Sequence, residues 1–160
     1  MLNSRLLAIA LVLSLAPAAR AAKTSSVTKV LIENGPAVEL SGASTSFALF
    51  DTEGEVWGKS TWTVIAVTPT EAGFDAEVQL QITHGSATLM TATTLHATLT
   101  DVAPREPGGA VYTVVVDGAT VSATGSLARF DGATLYYRSE AEAVDGHFVH
   151  CNVCPIVLVR

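Results

Sequence analysis

The chain has 160 residues, of which 49% are hydrophobic and 15% charged, and its formal net charge is −6. That balance weighs against nucleic acid and against anionic membrane surfaces as partners. The sequence is rich in Thr, Val and Ala and poor in Lys and Glu, the composition that strands favour.

Residues 1–21 read as a leader. Arg5 supplies the positive start, 6–16 an apolar run, and Ala19-Arg20-Ala21 a small-x-small cleavage site. The apolar run is shorter than the roughly 20 residues that cross a bilayer. A cleaved signal peptide is expected, with an uncleaved anchor as the alternative, and no lipobox cysteine stands near the cut. The expected location is therefore the periplasm or beyond the cell. Because the leader carries two arginines and no acid, its removal makes the remainder more acidic. Residues 22–160 suffice for a single domain with a sizeable core.

Beyond a turn at Asn34-Gly35-Pro36, strands are predicted over 61–67, 74–83, 110–116 and 134–144. The clearest is 74–83, where Phe74, Ala76, Val78, Leu80 and Ile82 alternate with polar residues, predicting a strand buried on one face. Val114, Val115 and Val116 are apolar on both faces and predict a deeper position. Turns are expected at 51–54 and 68–73, and hairpins at the Asp-Gly pairs beginning at 117, 131 and 145. The polar stretch 101–109, rich in Pro and Gly, reads as a loop tip. No segment holds helical periodicity for three turns, so an antiparallel-rich, all-β protein of some ten short strands is expected.

One spacing recurs along the chain. Val121, Ala123, Ser126, Ala128 and Phe130 define a skeleton of apolar, small, then two inward positions after an odd gap. Leu40, Gly42, Thr45, Phe47 and Leu49 follow it, as do Met90, Ala92, Leu95, Ala97 and Leu99, and finally Val149, Cys151, Cys154, Ile156 and Leu158. An even step keeps side chains on one strand face, so the odd gap predicts a bulge or corner in each copy. Copies beginning at Met90, Val121 and Val149 stand 31 and 28 residues apart, which suggests stacked β-units.

Catalytic motifs are absent. No Ser sits in a nucleophile elbow and no Gly-rich loop opens a helix. Glu140 and Glu142 share a strand face with Arg138, read as a solvated outer face. His84 and His96 are expected in solvent, and Trp57 and Trp62 as core or rim aromatics. Cys151 and Cys154 lack the βαβ context of a redox pair and the further ligands of a zinc site, since His147 and His150 point to opposite faces. Pro155 stands where a haem attachment motif needs His. A short disulfide across the corner, two buried core thiols, or metal or redox work are the alternatives. No metal, cofactor or enzymatic activity is expected.

The segment A-T-G-S-L-A-R-F-D-G-A-T, 123–134, resembles the repeat of the periplasmic lipopolysaccharide-transport proteins, the organic-solvent-tolerance A-like family. Residues 82–99 are similar to that family's segment in which a strand ends at a Gln-Gly-type turn before the next unit. The family's frequent corner Asp is replaced by Ser126, Thr93 or Asn152, and the family has no fixed Cys-x-x-Cys. The resemblance implies an open, V-shaped β-jellyroll, with acyl chains inside and strand edges that join like domains in the cell envelope. Residues 125–133 also resemble the Arg-Phe-x-Gly-Ala turn of allene-oxide-cyclase and dirigent-like barrels, which implies a closed β-barrel instead.

Two functions follow as expectations. The first is a periplasmic carrier for lipid or lipopolysaccharide acyl chains. Its lining would be Leu40, Phe47, Leu49, Met90, Leu95, Leu99, Val121, Ala128, Phe130, Val149, Ile156 and Leu158. The second is a secreted structural or adhesive subunit without a ligand. The many small inward positions favour a container over a packed interior.

Overall fold

The alternation of β-branched and aromatic residues with polar ones is realised along nearly the whole chain. A computed structural model describes residues 28–34, 40, 42, 44–100, 102–145, 147–152 and 154–160, with side chains described for all but 150–152. The leader at 1–21 lies outside the described residues. The elements are β1 (Thr28–Asn34), β2 (Ser44–Phe50), β3 (Val56–Thr70), β4 (Gly73–His84), β5 (Ala87–Leu99), β6 (Ala110–Thr120) and β7 (Ser122–Ala123). A 3-10 helix, η1 (Gly125–Phe130), leads to β8 (Thr134–Val144), β9 (His147–Asn152) and β10 (Cys154–Val159).

Consecutive strands pair antiparallel from β1 to β6, and β6 pairs with β8. The last strand then closes the sheet. On one edge β10 pairs with β1, from Thr28↔Val159 to Glu33↔Cys154; on the other it pairs with β8, from Ile156↔Tyr137 to Val159↔Thr134. The circuit β1–β2–β3–β4–β5–β6–β8–β10 is thus a closed, eight-stranded antiparallel barrel. Of the two architectures expected from the sequence, the closed barrel is the one formed, and the open V-shaped jellyroll is not. Closure leaves the two terminal strands without the exposed edges an open sheet would carry.

Register breaks at Leu49/Phe50, Val64/Ala66, Asp117/Ala119 and Glu142/Ala143 supply the bends that a closed sheet needs. Asp117-Gly118 is one of these bulges, with Gly118 at φ +83°, and not the hairpin its sequence predicts. Asp131-Gly132 closes the turn after η1, while Asp145 begins the β8–β9 hairpin as expected. Phe74, Ala76, Val78, Leu80 and Ile82 are all buried, as the alternation of β4 requires.

The repeated skeleton does not produce repeated structure. β4 and β5 pair over their whole length without a register shift, so β5 has no corner. Its inward set is Ala87, Leu89, Thr91, Leu95 and Ala97, which turns Met90 and Ala92 outward. In the copy at Val121 the odd gap is filled by η1, which buries Leu127 and Phe130 and exposes Ser126 and Ala128. One residue spacing therefore serves a straight strand in one place and a 3-10 turn in another.

Candidate functional site

The inward faces of β1, β3 and β8 bring together a polar cluster in an otherwise apolar interior. In β1, V-L-I-E-N, alternation sends Leu31 and Glu33 to the same side, and Glu33 is only 7% exposed. Ser60 and Trp62, two apart on β3, face it from the neighbouring wall. The Ser60 hydroxyl donates to Glu33 Oε1 at 2.5 Å and the Trp62 indole N–H donates to the same oxygen at 2.6 Å. Both donors thus converge on one carboxyl oxygen.

Burial pushes the Glu33 pKa up from 4.5 to about 7, against the opposing pull of the Ser60 and Trp62 hydrogen bonds. Across the interior, the Tyr137 ring stands 5.2 Å from that of Trp62 at 56°. Burial first, and the Glu33 charge second, raise the Tyr137 phenol above its ordinary range, so it stays protonated. Ser139, two residues on along the same face of β8, lies near enough to Tyr137 to oppose part of that shift. Its buried Oγ nevertheless makes no hydrogen bond of acceptable geometry with any described residue. Near neutral pH the cluster therefore holds an acid able to both donate and accept, a neutral phenol and an unpaired hydroxyl. Perturbed acids of this kind concentrate at functional sites.

Sequence reasoning missed this cluster, and β1 was not read as a strand at all. The signal was present in Leu31-x-Glu33, a carboxylate in phase with an apolar face.

Of the expected lining residues, Phe47, Leu49, Leu95, Val121, Phe130, Ile156 and Leu158 are buried and join one core cluster, with Leu40 packed against it. Val149 is half-buried. Met90 and Leu99 are 45% and 55% exposed and Ala128 is also exposed, so these three are open to solvent and not part of the buried core. Cys154 is buried on β10 opposite Glu33. The side chain of Cys151 lies outside the described residues, as does that of His150, so the bridge drawn from the sequence falls there too. Among the described residues no three His, Cys, Asp or Glu side chains gather as a metal site.

Two surface expectations change. His84 is not simply solvated: its ring stacks on Trp57 with centroids 4.4 Å apart, and its Nδ1–H donates to the Trp57 carbonyl at 2.5 Å. His96 is exposed, beside Asp75 at 2.8 Å. Glu142 is not on a solvated face either, being 4% exposed beneath the β5–β6 loop. Its carboxylate accepts the backbone N–H groups of Arg105 at 3.0 Å and Glu106 at 2.7 Å. Gly109 leaves room for this approach, because a Cβ there would collide with Glu142 Oε1. Glu142→Ala is expected to strand two backbone donors, at a cost of about 1–3 kcal/mol. Tryptic cleavage after Arg105 in the native protein should then accelerate; an unchanged cleavage rate would count against this latch.

No family model matches the chain, and no curated protein or solved structure matches it either.

Proposed function

We propose that the chain is an exported, non-catalytic carrier that holds one acyl-chain amphiphile within the barrel, its polar end at the Glu33–Tyr137–Ser139 cluster. Eight strands enclose a space that is either filled by side chains or adapted to one small ligand. The observation that carries the reading is the buried Glu33 carboxyl, held by Ser60 and Trp62 inside an apolar barrel. Burying an acid costs stability, and a barrel with a purely structural core gains nothing from one. Phe47, Leu49, Leu95, Ile156 and Leu158 belong to the apolar core of the same barrel. Each methylene sheltered there contributes about 0.8 kcal/mol.

The structural or adhesive alternative depended on edge-to-edge pairing, and closure through β10 removes the terminal edges it would use. Periplasmic delivery, the Cys151–Cys154 bridge and kinship with the lipopolysaccharide-transport proteins belong to the same proposal. Native mass spectrometry of protein purified from its own envelope tests it. One amphiphile per barrel is the expected result, together with a higher thermal midpoint when a ten-carbon amphiphile is added, since a ligand of the folded state stabilises by mass action. A ligand-free mass combined with an unmoved midpoint would end the carrier reading.

A further inference from the structure

We propose that the barrel opens sideways between β1 and β2 when the Glu33 carboxyl gives up its proton, so that pH works a gate in the wall. The proposal goes beyond the carrier reading and does not rest on it. Three features of the wall meet at this seam. The first is a short ladder. Among the described residues β1 pairs with β2 only at Ile32↔Phe50, Glu33↔Leu49 and Asn34↔Ala48, while its other edge pairs with β10 from Thr28 to Glu33. Parting β1 from β2 therefore breaks fewer backbone hydrogen bonds than parting it from β10. The second is Glu33 itself, the middle residue of that ladder and only 7% exposed. The third is a groove of about 570 Å³ along the seam, lined by residues 32–34 of β1 and 50–54 at the end of β2 and in its turn. Glu33 belongs both to the buried interior and to the lining of this groove, so a small separation of the strands brings water to it.

Charge supplies the force. The titratable groups around Glu33 are Tyr137 on β8, Cys154 opposite it on β10, and Asp51 and Glu53 at the groove; its partners on β3, Ser60 and Trp62, carry no charge. No Lys, Arg or His is among the described buried polar residues. Lys29, four residues back on the same face of β1, is engaged over the Trp57 ring at 5.4 Å. Burial raises the Glu33 pKa to about 7, so above that value the closed wall holds a carboxylate without a counter-charge. Asp51 and Glu53 stand on the β2 side of the seam, and ionised Glu33 repels them across it. Parting the strands hydrates the Glu33 carboxylate and relieves this repulsion. Opening is therefore favoured progressively as pH rises from 4.5 to about 7 and gains nothing further above that, whereas the protonated acid leaves the ladder shut.

Amide hydrogen exchange of the full chain, followed by NMR and expressed as protection relative to the free peptide, tests the gate. At pH 5.5 the amides of residues 32–34 and 48–50 that bond across the seam are expected to be less protected than those pairing β4 with β5. Dilute urea should leave them unchanged, because opening a seam exposes little surface. A carboxyl that titrates at 4.5 when hydrated and about 7 when closed in should lower their protection about 25-fold between pH 5.5 and 8.5. Glu33→Gln should erase that fall and leave the seam as tight at pH 8.5 as at pH 5.5. Seam amides that match those of β4 and β5 in protection and in urea dependence would overturn the gate, since the seam would then part only when the whole barrel unfolds. Protection that stays level from pH 5.5 to 8.5 would overturn it too, as would a fall that persists in Glu33→Gln. The parent's responses to urea and pH decide the matter even if the variant does not fold.

Discussion

Phe130→Ala is expected to destabilise the protein by about 3–5 kcal/mol, the usual loss when a fully buried Phe is truncated. Phe130 is 1% exposed and heads the fully buried side chains by size. With Leu127 it hangs from η1, which packs against β5 at the barrel end where β4 turns into β5. The backbone holds the plug in place: Val121 N–H donates to Ala133 and Gly132 N–H donates to Val121, both at 2.9 Å. The Asp131 carboxylate accepts from Ala123 N–H at 3.0 Å. Rigid support of this kind limits collapse into the space left by the ring, which places the loss toward the upper part of the range. Ala128→Trp, on the exposed side of the same helix, is the matched control and should change stability by less than about 0.5 kcal/mol. Urea denaturation measures both, and equal small effects would show that η1 does not plug the barrel.

That control marks where the sequence misleads. The five-residue skeleton places Ala128 and Phe130 on one face because a step of two keeps a strand side. In a 3-10 turn, residues three apart share a side, so Leu127 and Phe130 go in while Ala128 goes out. A small-residue spacing does not distinguish the two geometries. The perfect alternation of β4 does, and there every inward residue was legible. Closure was harder to read, because the pairings that close the sheet join β10 to β1 across almost the whole chain and are written in no local motif. Asp117-Gly118 shows a related ambiguity. The pair supplies positive φ wherever the chain needs it, and here the need is a bulge inside a strand. Glu142 was read correctly as outward-facing, but a sequence does not show which loop folds over an outer face. The Glu33 cluster was hidden for a different reason. An acid in a short apolar run ordinarily marks a strand end or solvent; alternation puts Glu33 on the face of Leu31, but the Ser60 and Trp62 partners that satisfy it there come from another strand.

Glu33→Gln should largely abolish the pH dependence of stability between pH 5 and 8. With its pKa raised from 4.5 to about 7, Glu33 holds its proton more tightly in the folded protein than in the unfolded chain. Between those values the folded state binds more protons, so stability falls as pH rises. Its contribution is complete below pH 4.5, declines through the interval and is lost above about 7. The accumulated difference is about 3 kcal/mol, since each pKa unit corresponds to about 1.4 kcal/mol. Tyr137 is the other titratable group coupled to Glu33, and it remains protonated across this window. Glutamine keeps a carbonyl oxygen to accept from Ser60 and Trp62 but carries no proton to lose. At pH 8 the variant should therefore melt higher than the parent by on the order of 10 °C, and near pH 5 the two should melt alike. Glu33→Leu supplies the contrast, because it strands the Ser60 and Trp62 donors and should be destabilised at both pH values by about 1–3 kcal/mol. A parent midpoint that stays level from pH 5 to 8 would mean that Glu33 is hydrated when folded, and the buried acid at the centre of the proposed ligand site would be lost with it.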